Sequence, residues 1–211
     1  MPAHTGHFQF AASTMRRAKD DGGSLCFAFI QYDLAPASRY PSQISQCVEM
    51  LQYTLQTLGK GPSNIILVGD SAGGTLVMSV MSHLLHPHTG VNPIKLTGPL
   101  KAAAIFSPWV NLEMTGSSVL QNQNQDPVSP GVMRGWARDY LGNAPFDYYN
   151  QPILAPPEWW RGMPVDQLLI TGAAREMLAD DLVQFSETMK VCGASPPGFE
   201  YALLTYSPDS T

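Results

Sequence analysis

The chain alternates short apolar runs with longer segments in which apolar residues recur about once per helical turn. Short runs rich in β-branched and aromatic side chains predict strands, and a spacing of three or four residues predicts a helix with one apolar face. The predicted strands are residues 25–33, 64–68, 102–106, 167–171 and 199–206. The predicted helices are residues 42–58, the segment after residue 71, a piece near 130–141 and the segment from 178 to 189. Strands that alternate with helices predict right-handed crossovers and a mostly parallel sheet, so the expected fold class is α/β.

Two segments break this alternation. Residues 86–99 are rich in Pro, His, Gly and Asn, which predicts a surface loop. Residues 111–163 are rich in Gln, Asn, Pro, Met and aromatic residues, with one helix-like piece near 130–141. We therefore expect residues 1–211 to form a single domain in which 111–163 are inserted above the sheet as a cap or lid.

Composition excludes several classes of protein. The 211 residues are 44% hydrophobic and only 14% charged, which is typical of a globular chain long enough to bury a sizeable core. The net charge is −5, and the largest cluster of basic residues is the pair Arg16-Arg17. This charge pattern argues against a nucleic-acid partner.

Cysteine usage and hydropathy bear on the compartment. The three cysteines, Cys26, Cys47 and Cys192, are an odd number and widely spaced, which favours free thiols in a reducing environment over a disulfide framework or a zinc site. We expect neither a metal nor another cofactor. No apolar run is long enough for a membrane span, and the N-terminus has no signal-peptide core. If Met1 is the true start, the expected location is the cytoplasm.

The stretch Gly69-Asp70-Ser71-Ala72-Gly73-Gly74 connects a predicted buried strand to an apolar helix. A serine flanked by glycines at a strand-to-helix turn is typical of a nucleophile elbow, in which a strained turn exposes the hydroxyl to a substrate carbonyl. A phosphate-binding loop would require a Lys after the last glycine, where this chain has Thr75. The glycine spacing does not match the dinucleotide fingerprint, and trypsin-like proteases are all-β. The alternative that these residues form a purely structural turn remains open.

Taken together, several motifs resemble those of the hormone-sensitive-lipase-like esterases of the α/β-hydrolase fold, especially fungal members. The resemblance spans nearly the whole chain. The motifs that carry it are Tyr32-Asp33-Leu34-Ala35-Pro36, Tyr40-Pro41, the elbow at 69–74, Ser107-Pro108-Trp109, Pro157-Glu158-Trp159-Trp160 and the loop 172–181. The resemblance implies hydrolysis of a small-molecule carboxylic ester through an acyl-enzyme.

The resemblance also implies roles for particular residues. Ser71 would be the nucleophile, and the backbone N–H of Ala72 would be one oxyanion donor. Glu176 stands where the family usually has the catalytic Asp, and Asp180 is the alternative acid. Carboxylates at the start of a helix are also common for purely structural reasons, because they interact favourably with the helix dipole.

Two parts of this machinery are missing from the sequence. The family has a His-Gly-Gly-Gly oxyanion motif before the first helix, and neither His4 nor His7 has a glycine run beside it. The catalytic histidine should follow the acid, yet all five histidines, which are His4, His7, His83, His86 and His88, precede residue 90. The sequence thus resembles a family member truncated at both ends, and we expect weak or no activity. The alternative is a non-catalytic small-molecule-binding homologue, as the gibberellin receptors of this superfamily are.

Overall fold

The computed structural model describes residues 4–190 and 198–204, in which helices and strands alternate along most of the chain. The strands are β1 Ile66–Asp70, β2 Ala102–Phe106, β3 Gln167–Ala173 and β4 Gly198–Leu204. The helices are α1 Thr5–Asp20, α2 Ser42–Gln56, α3 Ala72–Leu85, α4 Ser117–Asn122, α5 Pro130–Leu141 and α6 Ala179–Lys190. Short 3₁₀ turns occupy Pro62–Asn64, Pro152–Leu154 and Pro157–Trp160.

The four described strands form one parallel sheet in the order β1-β2-β3-β4. Asp70, Phe106, Thr171 and Ala202 are register partners across the sheet. Because the strands are parallel, the residues that follow each of them emerge at the same edge, which is where binding sites of such sheets lie. The α/β class and the parallel sheet predicted from the sequence are confirmed.

Helix α3 lies at the centre of the main core. Ten successive residues, from Gly74 to His83, are buried, so this helix is covered on all sides and not only along one stripe. Its Met78 and Met81 have no exposed surface, and neither has Ile105 of β2. A fully buried helix between the sheet and α2 fixes the position of its own first turn, which follows Ser71 directly.

The prediction of a strand at 25–33 is wrong. Residues 23–34 have no regular secondary structure, and the backbone groups of residues 25–32 make no ladder hydrogen bonds within the described part of the chain. Phe27 and Phe29 pack instead against Phe10 and Phe8 of α1, with ring centroids 6.0 and 4.8 Å apart. An apolar alternating pattern favours an extended conformation, but a strand also requires a neighbour for its backbone groups.

Other expectations lie partly outside the described residues. The predicted strand 199–206 is confirmed as far as Leu204, and Cys192 falls in the undescribed segment 191–197. Cys26 and Cys47 are free thiols, as expected. Helices α1 and α4 were not predicted. Across the described ranges, no helix has both the length and the hydropathy needed to cross a membrane.

Candidate active site

Ser71 stands in the turn between β1 and α3 with a backbone conformation that side-chain-bearing residues rarely adopt. Its φ is 55° and its ψ is −118°, and such left-handed conformations in non-glycine residues are concentrated at functional sites. The turn is held on both sides, because the Ser71 N–H donates to the carbonyl of Phe106 at 2.9 Å and the Ser71 carbonyl accepts from the Trp109 N–H at 3.2 Å. The strained serine expected from the Gly-x-Ser-x-Gly pattern is therefore present in the structure.

The glycines around Ser71 are not equivalent. A Cβ at Gly69 would overlap the Gly73 carbonyl group and lie 2.7 Å from Gly74 N, and a Cβ at Gly74 would lie 2.8 Å from Pro108 Cβ. A Cβ at Gly73 would meet nothing within 4 Å. The turn therefore requires glycine at 69 and 74 for close packing, whereas position 73 has free space beside it.

Ser107, the residue that follows β2, is hydrogen-bonded to β3 and to the loop that follows it. Ser107, which also has a positive φ of 41°, donates its N–H to the carbonyl of Thr171 at 2.7 Å. Its hydroxyl donates to Glu176 Oε2 at 2.7 Å. Ser71 follows β1, Ser107 follows β2 and Glu176 follows β3, so all three lie at the carboxyl edge of the sheet.

Glu176 is a partly buried carboxylate with one oxygen left over. Burial raises its pKa above the ordinary value, and the carboxylates of Asp126 and Asp70 raise it further, while the Ser107 hydroxyl and a backbone hydrogen bond from Ala173 lower it. Its Oε1 is buried and has no hydrogen-bond partner among the described residues. Such an oxygen is suited to accept a hydrogen bond from a cationic or N–H donor.

Asp180 is engaged elsewhere. Its Oδ2 accepts from the N–H of Ser118 at 2.7 Å, and its own N–H donates to the Ser118 hydroxyl at 3.2 Å. These two bonds attach α4 to the start of α6. The neighbouring Asp181, which sequence reasoning did not single out as a candidate, is buried and accepts from Asn111 Nδ2 at 3.1 Å.

His7 bonds to the residue that precedes Ser71, and both of its ring nitrogens are engaged. His7 Nδ1 accepts from the backbone N–H of His4 at 3.1 Å, and its Nε2 lies 3.0 Å from Asp70 Oδ2. Since Nδ1 is the acceptor, Nε2 carries the proton and donates to Asp70. His7 therefore has no free nitrogen with which to accept a proton from Ser71.

The histidines at the other end of α3 are also engaged. His83 Nε2 bonds to the carbonyl of Asn92 at 3.1 Å, and its Nδ1 accepts from the N–H of His88 at 3.0 Å. His86 Nε2 lies 2.9 Å from the carbonyl of Trp159. The sequence favours solvated or hydrogen-bonded surface histidines at these positions; the hydrogen bonds are present, but His83 is buried at 1% exposure and is not a surface residue.

Side chains from the segment 111–163 share an apolar cluster with the loops of the site. Met133 and Ala137 of α5 and Val119 of α4 pack with Trp109 and Met177. Ala72, directly after Ser71, packs against the same cluster.

Two cavities flank this region. The first, of about 300 Å³, is mostly apolar and is lined by Tyr32, Asp33, Leu34, Ala35, Gln43, Ala72, Thr75, Leu76, Trp109, Leu112, Trp136, Asp139 and Tyr140. The second, of about 400 Å³, is open and polar, and Asp180 and Asp181 contribute to its wall. In residues 4–190 and 198–204, no cluster of three or more His, Cys, Asp or Glu side chains could hold a metal ion.

Comparison with known proteins agrees with this architecture. The family model described as alpha/beta hydrolase fold matches residues 5–201. Steryl acetyl hydrolase 1 of Saccharomyces cerevisiae is 33% identical over 123 residues, which cover 56% of this chain and 27% of that protein. An esterase of Acinetobacter venetianus is 28% identical over 161 residues, which cover 75% of this chain and 48% of that protein.

A solved structure shows the same likeness. The crystal structure of an esterase from the bacterial hormone-sensitive lipase family superimposes with a TM-score of 0.67 and 29% identity, covering 83% of this chain and 54% of that one. The chain spans between about a quarter and about half of the length of these relatives. The family match, together with the strained serine between β1 and α3, identifies the chain as a member of the α/β-hydrolase fold family, similar to the hormone-sensitive-lipase-like esterases.

Proposed function

We propose that the site is that of a carboxylic-ester hydrolase that works through an acyl-enzyme. In this reaction Ser71 Oγ forms a bond to the ester carbonyl carbon and gives up its proton, and the alcohol leaves with a proton. Water then cleaves the acyl-serine and releases the acid. The observation that carries the proposal is the strained turn at Ser71, held between Phe106 and Trp109 at the carboxyl edge of a parallel sheet.

The oxyanion that forms on the carbonyl requires N–H donors placed in advance. We propose that the backbone N–H of Ala72 is one of them, since it is the first residue of α3 and its N–H has no carbonyl four residues earlier within the helix. A helix N-terminus also carries a partial positive charge, which favours an anion at this place.

For the acid, we propose Glu176 over Asp180. Two observations support this choice: the Ser107 hydroxyl donates to Glu176 Oε2, and Oε1 remains buried without a partner in the described chain. Asp180 already accepts from the backbone of Ser118. A catalytic acid of this type must keep one oxygen for the histidine that it orients, and Glu176 Oε1 meets that requirement.

We further propose that residues 111–163 act as a cap over the elbow. The packing of α4 and α5 side chains with Trp109, Met177 and Ala72 supports this placement. A cap of this kind excludes water from the reacting carbonyl and shapes the space for the substrate.

The name of the yeast relative suggests a substrate class. It is called a steryl acetyl hydrolase, and the match to it covers 56% of this chain. We propose that this chain belongs to an enzyme that acts on acetyl or other short-chain esters of apolar alcohols. An apolar cavity beside Ala72 supports the apolar character of the substrate.

We expect the 211-residue chain itself to turn over esters weakly. No histidine follows Glu176 in the sequence, the described histidines are engaged in other hydrogen bonds, and there is no His-Gly-Gly-Gly motif. Loss of a triad member leaves about 10³–10⁴-fold over water, and that remainder depends on the oxyanion hole and binding. With no histidine to serve as base, both acylation and deacylation of Ser71 should be slower than in a complete triad. An ester with a good leaving group acylates the serine faster than water removes the acyl group, so with such an ester an acylated serine should accumulate.

The test uses p-nitrophenyl acetate with the purified chain, followed by peptide mass spectrometry. We expect slow p-nitrophenol release and an acetyl group on Ser71, both lost in Ser71→Ala and both retained in the control Ser63→Ala, which changes an exposed serine just before β1. Acetylation that persists elsewhere at the same rate in Ser71→Ala would contradict the nucleophile assignment. Ser71-dependent release at ordinary esterase rates would contradict the expectation of weak turnover.

A second candidate is a binding protein without catalysis. The engaged histidines and the apolar cavity favour it, because neither feature requires turnover. A chain that binds apolar ligands but shows no acetylation of Ser71 would support this candidate over the hydrolase.

A further inference from the structure

Two residues in the wall of the apolar cavity beside Ala72 each carry a buried polar atom that has no hydrogen-bond partner among the described residues. Gln43 is only 3% exposed, and its Oε1 is buried without a hydrogen-bond partner in the described chain. The hydroxyl of Tyr140 is likewise buried and unpaired among the described residues. Both residues line the cavity. Buried polar atoms in proteins are almost always paired, so two such atoms in one cavity wall require an explanation.

The orientation of the Gln43 amide is fixed by its other half. Its Nε2 donates both hydrogens, one to the carbonyl of Asp33 at 3.0 Å and one to the carbonyl of Ser38 at 2.9 Å. The oxygen must therefore point away from these carbonyls, and it can only accept. A ligand that satisfies Oε1 must supply an O–H or an N–H.

Two other polar side chains of the cavity wall already have hydrogen-bond partners. Thr75 already donates its hydroxyl to the carbonyl of Trp109 at 2.7 Å. Asp33 accepts from Gln46 Nε2 at 2.8 Å. The Tyr140 hydroxyl can donate as well as accept. It can therefore donate to the oxygen of the ligand hydroxyl that itself donates to Gln43, or it can bond to a second polar group of the ligand.

The charges at the cavity wall restrict the ligand further. Asp33 and Asp139 are exposed members of the lining, and none of the described residues that line it is basic. Two carboxylates with no compensating cation disfavour an anionic ligand. The remainder of the lining is mostly aliphatic and aromatic, so the body of the ligand should be apolar.

We propose that this cavity binds an uncharged apolar molecule through one hydrogen-bond donor, which Gln43 Oε1 accepts, with the Tyr140 hydroxyl as a second contact. The inference rests on the proposed function in assigning this molecule as the apolar part of the ester substrate, since Ala72 joins the cavity to Ser71. It goes beyond that function by naming Gln43 and Tyr140 as the residues that select a hydroxyl-bearing or N–H-bearing substrate. Binding itself requires no chemistry at Ser71.

The test compares three rigid probes that share one apolar cage: 1-adamantanol, 1-methoxyadamantane and 1-adamantanecarboxylate. Trp109 and Trp136 line the cavity, so binding can be followed by tryptophan fluorescence and checked by calorimetry on the 211-residue chain. We expect saturable binding of the alcohol, about tenfold weaker binding of the ether, whose oxygen cannot donate, and still weaker binding of the carboxylate. Equal affinities for the alcohol and the ether, or no saturable binding of the alcohol, would overturn the proposal.

Two variants assign the effect to the residues. Gln43→Met should abolish the preference for the alcohol over the ether, because the acceptor is gone. Tyr140→Phe should weaken both the alcohol and the ether several-fold, since either oxygen can accept from the tyrosine. The control Tyr53→Phe changes an exposed tyrosine of α2 outside the cavity and should change neither affinity. Unchanged affinity for the alcohol in Tyr140→Phe would remove that residue from the site.

Gln43→Met also deletes two hydrogen bonds to backbone carbonyls, so its fold is checked by circular dichroism. If it does not fold, the probe comparison and Tyr140→Phe still decide the proposal. The readout is independent of turnover. Failure to acetylate Ser71 would therefore refute the proposed hydrolase and leave this binding site in place. Failure of the probes to bind would refute the binding site and leave the proposed hydrolase in place.

Discussion

The substitution Gly69→Ala tests whether close backbone packing, and not the presence of glycine as such, builds the Ser71 turn. The added methyl group would overlap the carbonyl group of Gly73, and since both contacting groups are fixed by the backbone, no side-chain rotation can relieve the overlap. Forcing an extra methyl group into a packed site costs about 1–3 kcal/mol, and a backbone contact places this change near 3 kcal/mol. For a chain of this length, that loss lowers the midpoint of thermal unfolding by roughly 6–12 °C. Circular dichroism during heating measures it.

Gly73→Ala is the matched control within the same motif. A Cβ there has nothing within 4 Å, and the residue lies in the first turn of α3, where Ala is favoured over Gly by about 0.5–1 kcal/mol. The midpoint should therefore rise by roughly 1–4 °C. The reasoning would be refuted if the two substitutions destabilised the chain equally, or if Gly69→Ala unfolded at the wild-type temperature.

Four further substitutions test the polar groups. Tyr140→Phe removes a buried hydroxyl that has no partner in the described chain, and it should raise the unfolding free energy by about 1 kcal/mol. The Tyr149 hydroxyl donates to the carbonyl of His86 at 2.7 Å, so Tyr149→Phe should lower the unfolding free energy by about 1 kcal/mol. A gain in stability in both variants would contradict this reasoning. Glu176→Gln should stabilise the chain at pH 7, because burial raises the pKa of Glu176 above 4.5, so that ionisation costs more in the folded state. Native stability of the wild type then falls as the pH rises through that pKa, and the advantage of the variant should vanish below about pH 4.5 in urea titrations; a constant difference would disprove it. Ser107→Ala should lower the unfolding free energy by about 1.5 kcal/mol in the wild type but by less in the Glu176→Gln background, which a double-mutant cycle measures. Equal losses in the two backgrounds would mean that the 2.7 Å hydrogen bond gains nothing from the charge of Glu176.

The sequence predicted elements whose apolar pattern reflects burial of their side chains in a core. Strand β2 was predicted at 102–106 and α5 near 130–141, and the structure has them at Ala102–Phe106 and Pro130–Leu141. In α5, the start is marked by Ser129, whose hydroxyl accepts from the N–H of Val132 at 3.4 Å, and by Pro130 at the first helical position. Such signals are local, so they can be read without knowledge of the partners.

Features that depend on distant partners were not predictable. The segment 25–33 has the apolar pattern of a strand but lacks a neighbouring strand in the described chain. The pattern of a segment alone does not show whether such a neighbour exists. The motif around Ser71 does not show which of its glycines are sterically constrained. Gly69 and Gly74 are constrained and Gly73 is not, and the close contacts arise only when β1, α3 and the residues after β2 are folded together. The unpaired oxygen of Gln43 is also a product of tertiary packing, since its amide nitrogen is engaged by carbonyls at Asp33 and Ser38.

The candidate site depends on strand register more than on the loops that carry its residues. One row of register partners across β1, β2 and β3 consists of Asp70, Phe106 and Thr171, so Ser71 and Ser107 each lie one residue beyond that row. The loop after β2 then holds both sides: Trp109 N–H binds the carbonyl of Ser71, and the Ser107 hydroxyl binds Glu176. A shift of one residue in the pairing of β2 would move both contacts together and turn every β2 side chain to the opposite face. The Ser71 turn and the Glu176 loop can therefore be brought together only when β2 is in its correct register. Strand β2 reaches that register only after two long crossovers have closed, because parallel strands cannot be joined by tight hairpins.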